Sequence, residues 1–433
     1  MKSKQKFKET EIGKIPEDWE VKSIGDVCDL VREQLIPDKN DVRPYIGLQH
    51  IGQGTLRLVD IGKSSNVSSN KFVFHKGQIL FGKLRPYFKK VIRPNFDGVC
   101  STDIWVINSK RGYDNGFLFY FFANQDIINE ADISSEGTKM PRAVWNYLSK
   151  VKKAFPKLPE QQYIAKILSD LDEKIELNQQ MNKTLESIAQ AIFKHWFIDF
   201  EFPNEEGKPY KSSGGEMVDS ELGKIPKEWE VKRLGDFIFL QRGLSYKGKG
   251  LCDDGIPMIN LGTMAPNAGF LYNGLKYYSG EFKEKNLVKP GDIVIANTDI
   301  TQKRDVLGSP AVVPPDLGSN KILFTHHIYA VRNESKLPNL FIYYLLQVKG
   351  YKNRVRGFAT GTTVLDLPED TVLDFKFLVP DKNSLTEFVE LINNVRNKIG
   401  NNNMQNKGLS QIRDSLLPKL MSGRIRVPIE VKK

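Results

Sequence analysis

The side chains best suited to chemistry in this sequence are cations interleaved with aromatic rings in residues 83–93. The stretch contains five lysines and arginines and no acidic residue, and it follows a predicted strand at residues 78–81. Such a loop suits the neutralisation of phosphates, and its arginines could also bond base edges. A solvated basic loop is the alternative. The candidate DNA-contacting residues here are Lys83, Arg85, Tyr87, Lys89, Lys90 and Arg93.

Further polar candidates lie in four other places along the chain. They are a second basic loop near residue 245, the cations after Gly137-Thr138, a polar loop at residues 297–305, and two adjacent histidines. Core or solvated side chains are the competing interpretation, above all for the histidines, which point to opposite sides if they lie on a strand. These candidates are Lys139, Arg142, Arg242, Tyr246, Lys247, Thr298, Gln302, Lys303, Arg304, His326 and His327.

Known catalytic and metal-binding spacings are missing from the sequence. Gly62-Lys63-Ser64 resembles the end of a phosphate-binding loop, but Arg57 occupies the position of its first glycine. Pro314-Pro315-Asp316 resembles part of a methyltransferase loop, but the residues on both sides are wrong. The five histidines show no H-E-x-x-H spacing. We therefore predict no catalytic residues and no metal site, which favours a binding protein.

Composition agrees with a folded protein that has a polyanionic partner. The chain has 433 residues, 40% of them hydrophobic, and a formal charge of +11. A positive charge suggests nucleic acid without proving it. The three cysteines lie far apart and suit a reducing compartment, and no apolar run is long enough to span a bilayer. We expect a cytoplasmic protein.

The sequence repeats once. Residues 11–26 return almost unchanged as residues 221–236, and shorter matches follow at offsets of 214 and 224. Features that both copies share, such as Trp19 and Trp229, are most simply explained as parts of a common scaffold. Specificity for two different targets should instead lie where the copies differ.

Each copy ends in a heptad pattern, which is typical of a coiled-coil seam. A buried asparagine in such a seam selects the register, so we predict that Asn178 faces Asn402 or Asn406; a frayed, solvated mid-section is the alternative. Arg413 is the one break, and Ile412 could take its inward place. The seam residues are Ile164, Leu168, Leu171, Ile175, Asn178, Asn182, Leu185, Ala189, Ile192 and Trp196, then Phe388, Ile392, Val395, Ile399, Asn402, Asn406, Leu409, Leu416 and Leu420.

The predicted fold class is α/β (mixed α+β), with two homologous globular domains that are each followed by a long helix. Short β-branched and aromatic stretches predict strands in both domains. The turn-rich stretch between the copies predicts an exposed connection. The predicted boundaries are 1–157 for the first domain, 158–200 for the first helix, 201–218 for the linker, 219–380 for the second domain and 381–425 for the second helix.

This order closely resembles the specificity subunit of type I restriction-modification systems over nearly the whole chain. The resemblance lies in residues 13–16 with Trp19 and in residues 223–226 with Trp229, which open the two domains. It also lies in the helix start at residues 158–165 and the ending at residues 416–423. The second helix departs from the pattern, because residues 381–385 lack the usual Pro-x-x-x-Gln entry.

The resemblance implies two target-recognition domains related by a pseudo-twofold, with the long helices packed as an antiparallel coiled coil. Each domain would read one half of an interrupted, asymmetric site on double-stranded DNA. Two methyltransferase subunits would dock on this chain and supply S-adenosylmethionine, and two restriction/translocase subunits would use ATP and magnesium. This subunit would be non-catalytic and bind no cofactor. About 35 helical residues span roughly 50 Å, which limits the spacing to about 15 base pairs.

Two other hypotheses stay open at this stage. One is a nuclease or methyltransferase whose motifs have drifted past recognition. The other is a coiled-coil adaptor with two protein-binding domains, whose basic loops serve only solubility.

Overall fold

The computed structural model describes residues 6–300, 304–361 and 364–427. It divides into two compact units, one formed by Met1–Leu177 with Gln405–Lys433 and the other by Asn178–Met404. The division passes through both long helices, so each unit holds one mixed α/β part and a segment of each helix. The predicted mixed α/β class with two long helices is confirmed. In the described part of the chain, no helix is both long and apolar enough to cross a membrane.

The first unit is built on a four-stranded antiparallel sheet. Ile104–Ser109 is one of its two central strands, and Val106 pairs with Leu80 on one side and with Val31 on the other. In spatial order the strands are Val91–Ile92, Ile79–Gly82, Ile104–Ser109 and Cys28–Val31. A five-stranded sheet has the order Gln34–Leu35, Lys71–Phe74, Gly98–Cys100, Pro44–Ile46 and Gly62–Lys63. Two-stranded pairs join Phe7–Thr10 to Gly13–Pro16 and Glu20–Ser23 to Lys152–Phe155.

Helices cover the first sheet with apolar side chains. Asn115–Ala123 begins where Asp114 Oδ1 accepts a hydrogen bond from the backbone N–H of Phe117 at 2.8 Å, which satisfies one of the free amides of a first helical turn. The helix is buried nearly all round, as expected of an element inside a core. The other α-helices before the first long helix are Ile24–Val27, Gln125–Ile133 and Trp145–Leu148, and the 3-10 segments are Leu48–His50, Ser64–Asn66 and Pro86–Phe88.

The second unit repeats this plan. Its four-stranded sheet has the order Ile238–Arg242, Ile328–Asn333, Ile293–Ala296 and Pro310–Val312. Its five-stranded sheet has the order Leu251–Cys252, Lys276–Tyr278, Ile256–Ile259, Ile322–Phe324 and Leu287–Val288. The strand pairs are Met217–Ser220 with Gly223–Pro226, Glu230–Arg233 with Lys376–Val379, and Thr298–Asp299 with Leu365–Asp366. The shorter helices are Asn339–Leu345, Lys349–Phe358 and Glu369–Leu373, and the 3-10 segments are Leu234–Asp236, Gly248–Gly250, Leu261–Thr263, Tyr272–Gly274 and Glu284–Asn286. The internal repeat in sequence is therefore a repeat in topology for the four-stranded sheet, whereas the five-stranded sheets differ at one edge, where Gln34–Leu35 pairs with Lys71–Phe74 but Leu251–Cys252 pairs with Lys276–Tyr278.

The two repeated tryptophans have scaffold positions, as predicted. Trp19 is fully buried and its Nε1 donates to Glu160 Oε2 at 3.0 Å, in the first turn of the first long helix. Trp229 Nε1 donates to Asp381 Oδ2 at 3.2 Å, just before the second long helix. Asp381 also accepts from the backbone N–H of Ser384 at 2.9 Å. A capping aspartate thus starts the second helix, where the sequence lacks the usual entry.

The long helices are Leu158–Phe197 and Lys382–Met421. All of the predicted seam positions are buried or half-buried. In the second unit, Asn402 Nδ2 donates to Asn182 Oδ1 at 2.8 Å and Arg396 bonds Glu186 at 3.4 Å. Phe388 lies 5.6 Å from Phe193 between ring centroids. Along the first helix, Asn182, Glu186 and Phe193 meet partners whose numbers fall along the second helix, so these helix segments are antiparallel.

Asparagines do meet in this seam, although the described partner of Asn402 is Asn182. Asn182 Nδ2 in turn donates to Asn403 Oδ1 at 2.8 Å. Asn178 is buried. Its pairing with Asn406 stays a prediction.

The expectation for Arg413 is wrong. The side chain of Ile412 points outward and is 49% exposed, whereas Arg413 takes the inward place at 5% exposure. A buried guanidinium needs a charged partner, and Arg413 Nη1 lies 2.7 Å from Asp172 Oδ1 within the first unit. Tyr120 Oη donates to the other oxygen of Asp172 at 2.8 Å, and burial, more than any other cause, raises the pKa of this tyrosine.

The segment between the copies is only partly the exposed connection that the sequence predicts. Its polar residues 205–208 are exposed, but Phe202 is buried and stacks on Trp229 with ring centroids 5.0 Å apart. Tyr210 also stacks on Phe202, with ring centroids 4.6 Å apart. The aromatic residues of this segment therefore belong to the core of the second unit.

Candidate nucleic-acid interface

The basic loop of the first unit is held in a defined shape. It follows the strand Ile79–Gly82 and contains the 3-10 segment Pro86–Phe88. Arg85 and Lys89 flank that segment, and both have φ of 50°, a left-handed conformation that side chains rarely adopt. Residues held in such conformations depend on the surrounding contacts to persist, so the loop is a built feature of the fold.

Three cations of this loop are partly engaged by the protein. Lys90 Nζ donates to the backbone oxygen of Leu48, and burial lowers its pKa. Arg85 Nη2 donates to the backbone oxygen of Lys139 at 3.1 Å. Burial lowers the pKa of Lys89 as well. The side chains of Lys90 and Arg85 therefore help to hold the loop.

The remaining candidates of the loop face outward to different degrees. Tyr87 is 48% exposed and lies edge-to-face on Phe88. Arg93 is exposed and Lys83 is half-buried. Within residues 6–300, 304–361 and 364–427, no hydrogen-bond acceptor is found for the side chains of Lys83, Tyr87 or Arg93. They are the loop residues with the greatest freedom to bond a ligand.

Arg142 is anchored by a carboxylate that the sequence did not single out. Its Nε and Nη2 donate to the two oxygens of Asp103 at 2.8 and 3.2 Å, and its Nη1 donates to the backbone oxygen of Met140 at 3.2 Å. The neighbouring candidate Lys139 is exposed. Asp103 carries no local sequence signal, because it precedes Arg142 by 39 residues.

In the second unit, Arg242 lies at the end of an edge strand. Its guanidinium stacks on the ring of Tyr329, 5.3 Å from the centroid, and its Nη2 donates to Tyr329 Oη at 3.0 Å. The same nitrogen lies 3.4 Å from Asp366 Oδ1. Lys276, another residue that the sequence did not indicate, donates to Tyr246 Oη at 3.2 Å.

The two histidines lie in a turn rather than on a strand, and they lie on the same side. Their ring centroids are only 3.9 Å apart; opposite sides were expected only for a strand, and this condition is not met. The backbone N–H of Ile328 closes the turn by donating to the oxygen of Thr325, and Asn297 donates to the two histidine oxygens, through its backbone N–H to His327 and through Nδ2 to His326. The hydroxyl of buried Thr298 lies 3.0 Å from His327 Nδ1. Burial lowers the pKa of His327, and neighbouring His326 and Arg242 add to the effect.

The polar loop that follows is described only in part. Gln302 and Lys303 lie outside the described residues. Arg304 has φ of 54°, and its Nη1 donates to the backbone oxygen of Arg356 at 2.7 Å. Lys247 is exposed.

Chemically, these surfaces offer cations, hydroxyls and imidazoles at the ends of rigid strands. Such groups can bond phosphates and base edges, and they are charged or polar without forming a recognisable catalytic set. In the described part of the chain, no cluster of three or more His, Cys, Asp or Glu side chains could hold a metal ion.

Comparisons with known proteins agree with this arrangement. Residues 16–187 and 226–411 match the type I restriction modification DNA specificity domain. The specificity subunit of the type I restriction enzyme MjaIX of Methanocaldococcus jannaschii is 30% identical, over 97% of this chain and 96% of that protein. The HindI specificity subunit of Haemophilus influenzae is 23% identical, over 94% of this chain and 100% of that protein.

A solved structure of a type I restriction-modification S subunit from M. genitalium is 16% identical and covers 93% of this chain and 96% of its own, with a TM-score of 0.49. The family match extends over both copies of the repeat and accounts for most of the sequence. The chain belongs to the family of type I restriction-modification DNA specificity subunits.

Proposed function

We propose that this chain is a non-catalytic subunit that reads a bipartite DNA site, with each unit reading one half. The observation that carries the proposal is one topology used twice with different polar loops. In the first unit, the strand Ile79–Gly82 leads into a loop of five cations; in the second, the strand Ile293–Ala296 leads into a loop with mixed charges. A shared scaffold with different contacts suits two different half-sites.

We further propose that the long helices set the number of unread base pairs between the half-sites. Support comes from the antiparallel pairing of helix segments through Asn182 and Asn402, and from Arg396 and Glu186. A buried polar pair in a helix seam fixes register, because any slip leaves an amide unsatisfied. A spacing element must have such a fixed register.

Family membership supports the proposed partners. Two methyltransferase subunits would dock on the helices and supply S-adenosylmethionine for adenine methylation. Two restriction/translocase subunits would use ATP and magnesium to move and cut DNA. This chain would then supply DNA contacts and the scaffold on which those subunits assemble.

We also propose that the protein works in the cytoplasm. Cys28, Cys100 and Cys252 are free thiols. Burial raises the pKa of Cys28 to about 12 and raises that of Cys100. Such thiols are inert, small apolar groups rather than disulfide partners, which suits a reducing compartment.

The test is an exchange of residues 1–157 for the first domain of a relative that modifies a different site. The chimaera and the parent are each expressed with their methyltransferase subunits, and the modified positions are mapped on genomic DNA. We expect a bipartite site in which only one half changes. A single uninterrupted site, or a change in both halves, would contradict the proposal.

The exchange also separates this function from that of a protein adaptor. An adaptor predicts that modified positions do not depend on which first domain is present. Expression of the parent chain without methyltransferase subunits is the control, and it should leave the DNA unmodified.

A further inference from the structure

Three positions of the first unit have structural equivalents in the second. Leu84 and Glu136 each form a β-bridge with Arg142, and in the same way Thr298 and Thr360 pair with Asp366. The sequence offsets agree, since 142 and 366 differ by 224, as do the two Gly-Thr pairs. Asp366 therefore occupies the position of Arg142.

The second pair of equivalent positions precedes a central strand. Asp103 comes directly before Ile104–Ser109, and His327 comes directly before Ile328–Asn333. Each of these side chains bonds a neighbouring polar side chain. Asp103 accepts from Arg142, and His327 Nδ1 lies within hydrogen-bond distance of the Thr298 hydroxyl.

The third pair is an arginine in both units. Val31 pairs with Val106, which brings the next residue, Arg32, beside Trp105; Arg242 pairs with Tyr329 in the same way. The repeat offset of 210 also aligns Arg32 with Arg242. Arg32 lines a cavity of about 280 Å³ together with Lys83 and Trp105.

The shared arginine is not explained by the scaffold. Arg32 is exposed, and its side chain has no hydrogen-bond partner within the described residues. Arg242 bonds through Nη2 alone, to Tyr329 and Asp366. Both guanidinium groups therefore keep free N–H groups at the surface.

The other two positions differ in hydrogen-bonding character. Arg142 uses three of its five N–H groups on Asp103 and Met140, which leaves two for a ligand. The remaining N–H groups, one on each terminal nitrogen, can donate to the acceptors of guanine. Asp366 at the same place in the second unit can only accept, and its side chain is 46% exposed.

Resting on the proposed function, we propose that each unit reads its half-site through these three positions. Arg32 and Arg242 contact a phosphate of the DNA backbone. The other two positions are Asp103 and Arg142 in the first unit and His327 and Asp366 in the second. Their side chains either contact base edges or orient a side chain that does. Phosphates are the same in every sequence, so their contact can keep one residue type; bases differ, so their contacts must differ.

Asp366→Asn tests the base-reading position with little change in shape. The complex of chain and methyltransferase subunits selects sites from a random duplex library. We expect the preference at one base pair of one half-site to fall about 10-fold, in line with the loss of a single base contact, while the other half-site is unchanged. Unchanged preference in both halves would overturn the inference.

A second variant transfers the first unit's pair. His327→Asp with Asp366→Arg should replace the preferred base in the second unit's half-site and leave the first unit's half-site intact. Thermal unfolding identifies a variant that has lost its fold, and in that case Asp366→Asn alone decides.

Arg32→Gln tests the phosphate contact. We expect equally weaker binding to all DNA sequences and an unchanged site preference. The slope of log affinity against log salt concentration should become smaller by about 1. The matched control is Arg111→Gln, an exposed arginine near the opposite end of the same strand pair, which should leave the slope unchanged. An unchanged slope with Arg32→Gln, or altered base preference, would overturn this part.

These results are distinguishable from a failure of the proposed function. If the parent complex selects no bipartite site, the proposed function fails. If the parent selects one and the variants leave it unaltered, only the three-position inference fails.

Discussion

Arg413 Nη1 lies 2.7 Å from Asp172 Oδ1, and this ion pair joins the two long-helix segments of the first unit where the apolar seam is interrupted. The guanidinium is nearly inaccessible, and it bonds two carboxylates, Asp172 on the facing helix and Asp414 next to it in sequence. A buried pair is costly to form, but it is far more costly to break on one side.

Asp172→Ala should therefore destabilise the protein by about 2–3 kcal/mol, because it leaves Arg413 with only the exposed carboxylate of Asp414 and leaves the Tyr120 hydroxyl without its acceptor. The measurement is the free energy of unfolding in urea. Arg413→Met with Asp172→Leu should recover part of the loss, since an apolar pair needs no partner charge, although the Tyr120 hydroxyl still lacks its acceptor. A double variant as unstable as Asp172→Ala would contradict this account.

Asn402→Leu should destabilise the second unit by about 1 kcal/mol or more, because Asn182 Oδ1 loses its donor. Replacing both asparagines by leucine should recover part of the free energy of unfolding, since neither of these amides then remains unsatisfied, although Asn403 Oδ1 loses the donor Asn182. Leu391→Ala, at an exposed position of the same helix, is the control and should have a smaller effect. Equal effects of Asn402→Leu and the control would be evidence against the polar pair.

A fall in pH should lower the stability of the first unit, because Asp18 becomes protonated. Its hydrogen bonds from Arg426, at 2.7 and 2.8 Å, lower its pKa below the ordinary 3.8. A carboxyl with a lowered folded-state pKa stabilises the fold above its unfolded pKa, and this contribution is lost as pH falls through the lowered value. The free energy of unfolding should thus fall less between pH 6 and pH 3 in Asp18→Asn than in the parent. The same pH dependence in both proteins would refute this contribution.

Lys83 and Lys90 should respond differently to loss of charge. Lys83→Gln should reduce the slope of DNA affinity against salt by about 1 with little change in stability. Lys90→Gln removes the donor to Leu48 and should lower the free energy of unfolding by about 1–2 kcal/mol. Titrations at several salt concentrations and urea unfolding separate the two effects. An unaltered salt slope for Lys83→Gln would count against contact with DNA at this residue.

Removal of seven residues from each long helix, at facing positions, should shorten the unread gap of the site by about three base pairs, because seven helical residues rise about 10 Å. Mapping of modified positions measures the gap. Deletion from a surface loop at residues 205–208 is the control and should leave the gap unchanged. An unchanged gap after the double deletion would exclude the spacing role of the helices.

Much of the architecture could be predicted from the sequence because its signals are repetitive. The return of Trp19 as Trp229 predicted two copies of one scaffold, and both residues proved to be buried and bonded to carboxylates at helix starts. Heptad spacing predicted which helix positions would face inward. The spacing held at position 413 too, but the expectation that Ile412 would replace Arg413 there failed, since nothing near that residue in sequence announces Asp172, which is 241 positions away.

The candidate surface was predicted less completely, for the same reason. Lys83 and Lys90 look alike in the basic loop, yet Lys90 bonds a backbone oxygen 42 residues earlier. The backbone oxygens of His326 and His327 are both bonded by Asn297, which lies about 30 residues earlier in the sequence.

The sequence by itself determined that this protein has two homologous parts, two long helices and more cations than acids, because periodicity and composition are properties of the chain alone. Only the tertiary structure decided which cations are committed to the scaffold, such as Lys90, and which remain available, such as Arg32. A charged side chain bonds to whatever partner the fold brings within about 3 Å, and that partner comes from distant parts of the chain.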